Sequence, residues 1–422
     1  MVIGFGAEKD TLTAQQVERI VAQSLKSLPL DGKRVLILIP DRTRTMPLGL
    51  FFRLLVEHLR HRAEWLTFMV ALGTHPPLTE QQLLDLVGME TLTKDERFGN
   101  VSLVNHDWED ADRLACLGVV DARTMSSISG GLAQEEMPVR INRAVLENDH
   151  VLICGPVFPH EVAGFSGGSK YLFPGVSGPE VINLTHWVGA LATSFHTIGR
   201  KRTPVRAAIR KAASLIPTPC HALCSVITPE AKVAGLFFGS PQEAWSEAAD
   251  LSAIRHVKWH DHPYRTVFSE VSPHYDDLWT GAKGVYKVEP VVAEGGEVIL
   301  YAPHIKEISH THGETIDEVG YHVRDYFLSD WERWQDFPRG ILAHSTHVRG
   351  LGTYEEGVEQ PRIRVTLATG IPEQRCRKVN LGYRDPYAVD PREWRDREDE
   401  GILFVEQAGE ILHRLKPEVR ET

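Results

Sequence analysis

The chain has 422 residues, too many for one hydrophobic core, and its 42% apolar and 24% charged content is that of a soluble globular protein with two or three domains. The formal net charge of −11 argues against a nucleic-acid-binding protein, and no apolar run reaches the length of a membrane-spanning helix. The five scattered cysteines are typical of reduced thiols and, with no secretion signal at the N-terminus, they predict a cytoplasmic protein.

Predicted strands and helices alternate through the first half of the chain, which indicates a largely parallel α/β sheet. The predicted strands are residues 34–40, 66–72, 101–105, 150–158, 223–227 and 233–238. The predicted helices are residues 14–28, 48–61, 79–87 and 241–251, with further helices beginning near 177–180 and at 203. Thr79 and Gln82 have the spacing of a helix capping box.

Polar side chains directly follow three of these apolar strands. Asp41 and Arg44 come after the first strand, His75 after the second and His160 after the run that ends at Phe158. In open parallel sheets the ligand crevice lies outside the carboxyl ends of the strands. The three strand ends therefore predict a functional site, although a single histidine in such a loop is usually only a hydrogen-bonded loop residue.

A glycine-rich stretch, PHEVAGFSGGSKYLFPGVSGPE (159–180), links the third of these strands to a predicted helix. Free backbone N–H groups and a helix N-terminus make such a connection a candidate anion cradle. The nucleotide-triphosphate loop pattern G-x-x-x-x-G-K-[ST] does not match from Gly164, because Ser169 and Tyr171 occupy its last glycine and its hydroxyl position. A tight connection without any ligand is the common alternative.

The residues around 255–264 (RHVKWHDHPY) are polar and rich in histidine, and we predict a domain boundary there, with domains 1–262 and 263–422. His256, His260 and His262 offer candidate metal ligands, although histidines at a junction are more often exposed. Upstream, the basic residues around the TPVR segment (203–206) suggest phosphate contacts, with a solvated helix face as the favoured interpretation.

The second half repeats the alternation, which predicts a second α/β domain with a largely parallel sheet. The predicted strands are residues 266–271, 297–302, 340–343 and 363–368, and the predicted helices lie at 282–291, around 315–319 and at 400–415. Histidine-rich segments at 304–312 and 344–347 follow two of the predicted strands.

The order of these motifs resembles the lactate racemase family of nickel-pincer enzymes over roughly residues 35–290. The resemblance is carried by DRTR (41–44), GTH (73–75), the PH…GFSGGSK…PG stretch and the TPVRAAIRKAASLIP…VAGLFFGSPQEAW segment. It implies two α/β domains with the active site in an interdomain cleft. It also implies a pyridinium mononucleotide that holds Ni(II) through sulfur, carbon and sulfur, made by dedicated cofactor-biosynthesis proteins.

The resemblance also assigns residues to this cofactor. Lys170 matches a lysine that can be joined covalently to it, and His186 matches the histidine that completes square-planar nickel coordination, a geometry that suits Ni(II). Asp41 is expected to orient the cofactor or Arg44. The remaining predicted cofactor-binding residues are the loop residues Gly167, Gly168 and Ser169.

The implied reaction inverts C2 of a 2-hydroxy acid by reversible hydride transfer to the cofactor. His75 and His160 match the acid–base pair, and imidazole suits proton transfer in both directions. Arg44 is expected to bind the substrate carboxylate through its guanidinium fork, and Lys283 matches a second substrate lysine. Thr280 stands where the lactate enzymes carry glutamine, and Tyr171 is bulkier than expected, so both departures put lactate in doubt.

The sequence thus predicts an isomerase, a racemase or epimerase of a longer and more polar 2-hydroxy acid of the gluconate type. Three alternatives remain: a lactate racemase proper, a zinc hydrolase with His75, His160 and His186 as ligands, and a nucleotide-binding protein without redox chemistry. A small-molecule partner is expected, with neither nucleic acid nor membrane, and assembly into a homo-oligomer is left open.

Overall fold

The computed structural model describes residues 1–73, 75–90 and 98–417. The chain forms two compact units. The first consists of Met1–Phe158, Phe165–Thr185 and Arg206–Arg255, and the second of Pro159–Gly164, His186–Val205 and His256–Thr422. The two-domain boundary predicted at residue 262 stays a prediction.

The strands are β1 (Ile3–Gly6), β2 (Arg34–Ile39), β3 (Trp65–Val70), β4 (Val101–Asn105), β5 (Leu114–Val120), β6 (Met137–Asn142), β7 (His150–Pro156), β8 (Pro159–His160), β9 (Gly164–Phe165), β10 (Cys220–Ile227), β11 (Val233–Gly239), β12 (Val257–His260), β13 (Tyr264–Val271), β14 (Val292–Ala302), β15 (Gly352–Glu355), β16 (Val358–Pro361), β17 (Arg364–Thr369), β18 (Gly382–Tyr383), β19 (Ile402–Ala408) and β20 (Leu412–Leu415).

The helices are α1 (Ala14–Lys26), α2 (Leu48–Leu59), α3 (Glu80–Val87), α4 (Ala122–Ser129), α5 (Ala144–Glu147), α6 (Pro179–Ala192), α7 (Ser194–Thr197), α8 (Pro204–Ala213), α9 (Pro241–Arg255), α10 (Leu278–Gly281), α11 (Lys283–Tyr286), α12 (Gly313–Val319), α13 (Arg324–Ser329), α14 (Trp331–Trp334), α15 (Arg339–Arg349) and α16 (Glu373–Lys378).

The first unit is built on a seven-stranded sheet in the order β1-β11-β10-β7-β2-β3-β4. From β10 to β4 neighbouring strands are parallel, and only β11 runs antiparallel to both of its neighbours. Residues Val35–Ile39 of β2 are all 0% exposed, as expected for a strand covered on both faces. The chain order reverses between β2 and β7, and this switch point is where ligands bind in open α/β sheets.

The second unit has a five-stranded sheet in the order β18-β17-β14-β13-β19, with all neighbours parallel. Its central strand β14 is buried at Val298–Leu300. The predicted α/β class with largely parallel sheets is confirmed in both units. Among the described residues, no helix is both long enough and apolar enough to cross a bilayer.

Two predicted elements of the second half were wrong. Residues 340–343 lie in helix α15, not in a strand, and Gly350, with φ of 83°, ends that helix. A short apolar run that is buried all round has no periodicity to separate helix from strand. Residues 400–415 form strands β19 and β20 instead of a helix, with Gly401 and Gly409 at positive φ beside β19.

Candidate active site

The loops at the carboxyl ends of β2 and β3 and the glycine-rich stretch contribute one group of polar side chains in the first unit, here named the strand-end cluster: Asp41, Thr43, Arg44, His75 and Tyr171. The register of β2 and β3, which pairs Ile39 with Val70, brings the two loops side by side. The N–H of Gly73 donates to the carbonyl of Gly175 (3.1 Å), so the β3 loop is fixed to the end of the glycine-rich stretch.

Asp41 is buried and forms a very short contact with Nδ1 of His75. The Thr43 hydroxyl (2.7 Å) and backbone N–H (3.1 Å) donate to the other carboxylate oxygen of Asp41. A carboxylate at Nδ1 holds the proton on that nitrogen and leaves Nε2 of His75 as the hydrogen-bond acceptor. The contact therefore fixes the orientation of the His75 ring.

The charge state of Asp41 follows from its neighbours. Burial raises the pKa of this carboxyl, but His75, Arg44 and Thr43 together pull the pKa well below its ordinary value. Asp41 is thus ionised at neutral pH, as a residue that pairs with imidazole must be. The sequence predicted a cofactor or Arg44 as its partner, and the structure adds His75.

Tyr171 occupies the switch point of the sheet. A Cβ added at Gly155 of β7 would lie 1.9 Å from the Tyr171 hydroxyl oxygen, so only glycine leaves room for this ring. Burial raises the pKa of Tyr171 well above its usual value, with Arg44 and Asp41 acting on it more weakly. Tyr171 is therefore a neutral phenol, and its bulk is accommodated against β7.

The glycine-rich loop is fixed by two side chains that the sequence interpretation missed. Gly167 and Gly168 both have positive φ (79° and 57°), and an added Cβ would lie 2.6 Å from Val157 and 2.7 Å from Trp245 respectively. Trp245 donates from Nε1 to the Ser166 carbonyl (2.9 Å). Arg206 donates to the carbonyls of Phe165 and Gly167.

Arg206 was expected on a solvated helix face, and this expectation was wrong. Its guanidinium is buried and stacks over the Trp245 ring at 4.1 Å. Burial lowers the pKa of Arg206 to about 9, so it still carries a charge at neutral pH. The sequence segments that could have revealed this contact are TPVR and SPQEAW, because they contain the arginine and the tryptophan that bind the loop. Lys170 and Ser169 are half-buried beside it.

His160 belongs to the second unit and has the opposite tautomer to His75. The backbone N–H of Val162 donates to Nδ1 of His160 (3.1 Å). Glu161 Oε2 lies 3.4 Å from the same nitrogen, but an amide N–H can only donate, so Nδ1 is the acceptor. A neutral His160 then carries its proton on Nε2.

Four histidines of the second unit influence one another electrostatically and are here named the histidine cluster: His186, His312, His344 and His347. His186 is half-buried on α6, whereas His344 and His347 are buried on α15. The indole of Trp279 stacks on His344 with ring centroids 4.0 Å apart and lies 4.6 Å from His312. The sequence predicted turns at 344–347, and the structure places both histidines on a helix instead.

Lys283 and Thr280, the predicted substrate residues of the second half, are both buried. The Lys283 ammonium lies 4.5 Å from the centroid of the Tyr275 ring, a cation–π contact. The Thr280 hydroxyl donates to the Asp277 carboxylate (2.8 Å), which caps α10. The hydroxyl proton of Thr280 is therefore already hydrogen-bonded within its own helical turn.

A family model described as the lactate racemase N-terminal domain matches residues 7–198. A lactate racemase from Thermoanaerobacterium thermosaccharolyticum is 24% identical over 300 residues, 70% of this chain and 66% of that protein. A lactate racemase from Lactiplantibacillus plantarum is 24% identical over 307 residues, with the same coverage. The N-terminal part of the chain is therefore similar to the lactate racemase family. The aligned part of this chain spans 66% of the length of each of these relatives.

Two solved structures are similar to this chain. A crystal structure of a Thermotoga maritima protein has a TM-score of 0.87 and 31% identity, covering 96% of this chain and 99% of that one. The lactate racemase apoprotein of T. thermosaccharolyticum has a TM-score of 0.71 and 18% identity, covering 98% of this chain and 100% of that one. The second likeness shows the shared fold. The two curated relatives are, by name, lactate racemases.

The matched residues 7–198 include the strand-end cluster, His160, Lys170 and His186. Thr280, Lys283, His344 and His347 lie beyond residue 198. The residues that define the family and those on α15 are therefore separate parts of the chain.

His260, one of the three histidines near the predicted domain boundary, is hydrogen-bonded within the second unit. His260 on β12 lies 2.9 Å from Nδ1 of His413 and 3.1 Å from the Tyr264 hydroxyl. Among the described residues, the grouping with ligand atoms close enough for a metal ion is Asp276, Asp277 and His310. Asp277 there already accepts from Thr280 and from the N–H of His310. No three-histidine grouping for a zinc hydrolase occurs among the described residues.

Proposed function

We propose that this protein is a racemase or C2-epimerase of a 2-hydroxy acid. The observation that carries the proposal is the contact of Nδ1 of His75 with the buried carboxylate of Asp41, which orients this ring. Inversion at C2 requires one group that accepts a proton and one that donates it, and their roles exchange in the reverse reaction. In the proposed reaction Nε2 of His75 accepts the proton, and His160 donates one as an imidazolium.

The proton steps are assigned as follows. His75 removes the hydroxyl proton of one enantiomer, and its positive charge is stabilised by the ionised Asp41. His160 serves the other enantiomer: it starts protonated, gives a proton to the oxygen of the 2-keto acid and ends neutral, and it takes up a proton in the reverse direction. Arg44 binds the substrate carboxylate bidentately, and Lys283 adds a second positive charge from the second unit.

The cofactor of the proposal is a nickel-pincer nucleotide, delivered by cofactor-biosynthesis proteins. When bound, it supplies a reversible hydride acceptor. The donor set fits this group: His186 offers a half-buried imidazole suited to Ni(II), and Lys170 offers a half-buried amine for covalent attachment. Gly167, Gly168 and Ser169 would approach its phosphate, on a loop fixed by Arg206.

The proposed substrate is longer and more polar than lactate, of the gluconate type. The Thr280 hydroxyl is bonded to Asp277, so this position contributes neither the length nor the free amide of a glutamine. Polar imidazoles next to Lys283 favour a substrate with hydroxyl groups over one that ends in a methyl group. Cytoplasmic location and homo-oligomer formation stay predictions.

Lactate itself is the second candidate substrate, favoured by the names of the two curated relatives. A panel of lactate, malate, a hydrophobic 2-hydroxy acid and gluconate, assayed for inversion at C2 with the cofactor-loaded protein, tests both. We expect gluconate to be epimerised fastest. Lactate turning over fastest would refute the polar substrate, and failure to invert any of them would refute the racemase proposal.

The nickel assignment has its own test. His186→Ala should lose nickel while the fold stays intact, because this residue would act as a ligand and lies half-buried. Metal analysis of the purified variant measures this directly. His262, an exposed histidine of the second unit, provides the matched control, and His262→Ala should keep its nickel. Full nickel content in His186→Ala would show that another residue completes the coordination.

A further inference from the structure

Helix α15 is buried from Gly340 to Val348, yet it carries two histidines, His344 and His347. They are three residues apart and therefore share one face of the helix. Their side chains are buried, with residue exposures of 8% and 3%. Histidine is an unusual choice for a core helix unless its ring nitrogens are hydrogen-bonded.

These ring nitrogens lack hydrogen bonds. Among the described residues, Nε2 of His344 and both Nδ1 and Nε2 of His347 are buried without a partner. The two residues between them are paired: the Ser345 hydroxyl donates to Gly320 (2.8 Å) and the Thr346 hydroxyl to Ala343 (2.9 Å). Buried polar atoms without partners destabilise a fold. These unpaired ring nitrogens therefore indicate that a ligand binds here.

The chemistry of the two rings selects the kind of ligand. Burial lowers the pKa of His347 to about 4 and that of His344 well below its usual value, so both rings are neutral. A neutral imidazole offers one donor and one acceptor, as a hydroxyl group does. Two such rings therefore match a chain of hydroxyl groups. They match a carboxylate less well, because a carboxylate only accepts hydrogen bonds and would leave the acceptor nitrogen of each ring unpaired.

Their location connects them to the proposed substrate. His344 is within electrostatic reach of Lys283, the proposed carboxylate-binding lysine, and both histidines are within reach of His186, the proposed nickel ligand. Trp279 stacks on the His344 ring and gives this side of the cluster an apolar face, which suits the C–H faces of a sugar chain.

We infer that His344 and His347 bind hydroxyl groups of the substrate beyond C2 and so determine the preference for polyhydroxylated acids. This inference rests on the proposed function. It names the residues that select the substrate, whereas His75 and His160 carry the reaction at C2.

The test uses the nickel-loaded protein and two variants, His344→Phe, which keeps a ring on Trp279, and His347→Leu. The ratio of kcat/KM for gluconate to that for lactate should fall roughly 10-fold in each variant, the loss expected for one hydrogen bond to a substrate. Thr346→Val on the same helix removes a paired hydroxyl and should leave the ratio unchanged. Unchanged ratios in both histidine variants would overturn the inference.

Thermal unfolding without substrate provides a second readout. Removing an unpaired buried polar group should raise Tm by roughly 2–4 °C in His347→Leu, whereas Thr346→Val should lower it. If wild-type protein inverts no hydroxy acid, the proposed function fails, and the inference is then decided by binding alone. Gluconate should raise Tm of the wild type and have less effect on both histidine variants; equal shifts in all three would overturn it.

Discussion

The strand-end cluster of the first unit and the histidine cluster of the second unit differ in how their polar atoms are satisfied. Asp41 accepts from His75 and from both donors of Thr43. His344 and His347, in contrast, have buried nitrogens without partners among the described residues. The carboxylate of Asp41 is thus satisfied before any ligand binds, whereas the buried nitrogens of His344 and His347 are not.

This difference suggests that the two clusters have separate functions, proton transfer and substrate selection. Proton transfer requires fixed tautomers, and fixed tautomers require neighbours within the protein. Selection of a substrate requires groups that remain available until the substrate arrives, and unpaired groups penalise substrates that fail to pair with them. The first cluster lies within the part of the chain that matches the family model, whereas α15 lies beyond it.

The largest expected effect is the loss of either proposed acid–base residue. His75→Ala and His160→Ala should each reduce the rate of inversion roughly 10²–10⁴-fold in both directions, since each residue serves one face of C2. Chiral analysis of initial rates from each enantiomer measures this. Exposed His61 provides the control substitution, His61→Gln. A His75→Ala enzyme with near-normal turnover would refute the two-base mechanism.

A smaller effect is expected when the partner of His75 is changed. Asp41→Asn keeps the shape but removes the charge that holds the proton on Nδ1, and it should reduce kcat roughly 10–100-fold. Thr43→Val, which removes one of the two bonds from Thr43, should have a milder effect in the same direction. Equal activity of Asp41→Asn and wild type would show that His75 is not oriented by this carboxylate.

The side chains that fix the glycine-rich loop also form hydrogen bonds within the protein, and these contacts should stabilise the fold. Arg206→Lys keeps the charge but not the two-pronged contact with Phe165 and Gly167, and it should lower the free energy of unfolding by about 2 kcal/mol. Trp245→Phe, which loses one bond to Ser166, should cost about 1 kcal/mol. Denaturant unfolding measures both. A smaller effect of Arg206→Lys than of Trp245→Phe would contradict the role given to the guanidinium.

The sequence predicted the first cluster better than the second for physical reasons. Continuous apolar runs such as Val35–Ile39 identify parallel strands, and polar residues at their carboxyl ends meet at one edge of the sheet. The pairing of Asp41 with His75 depends on the register of β2 and β3 and on side-chain rotamers, which periodicity does not contain. The family resemblance supplied the roles of Lys170 and His186.

The second cluster was placed on the wrong element because α15 is buried on all sides. Its histidines looked like a turn after a strand, and only the structure shows that they share a helix face. Whether a buried nitrogen has a partner depends on atoms that are distant in sequence, as the contact of Ser345 with Gly320 illustrates. The burial of Arg206 was missed for the same reason.

A pH-dependent effect on stability is expected at His106, a buried histidine whose ring is fully paired. Its Nε2 donates to the Ser177 carbonyl (3.1 Å), and Nδ1 accepts from the Asn142 amide (3.1 Å). Burial lowers the pKa of His106 to about 4, whereas the unfolded chain titrates near its ordinary value of about 6.5. The unfolded state therefore binds a proton first as the pH falls.

The sign of the pH dependence follows from this order. The stability that neutral His106 contributes is fully present above about pH 6.5 and is lost between about pH 6.5 and about pH 4. Between pH 8 and pH 5 the wild type should lose about 2 kcal/mol more than His106→Gln, which keeps a donor for Ser177 but does not titrate. Exposed His262 provides the control, His262→Gln, with no such difference. Parallel pH profiles of unfolding for wild type and His106→Gln would show that this ring is not held neutral by burial.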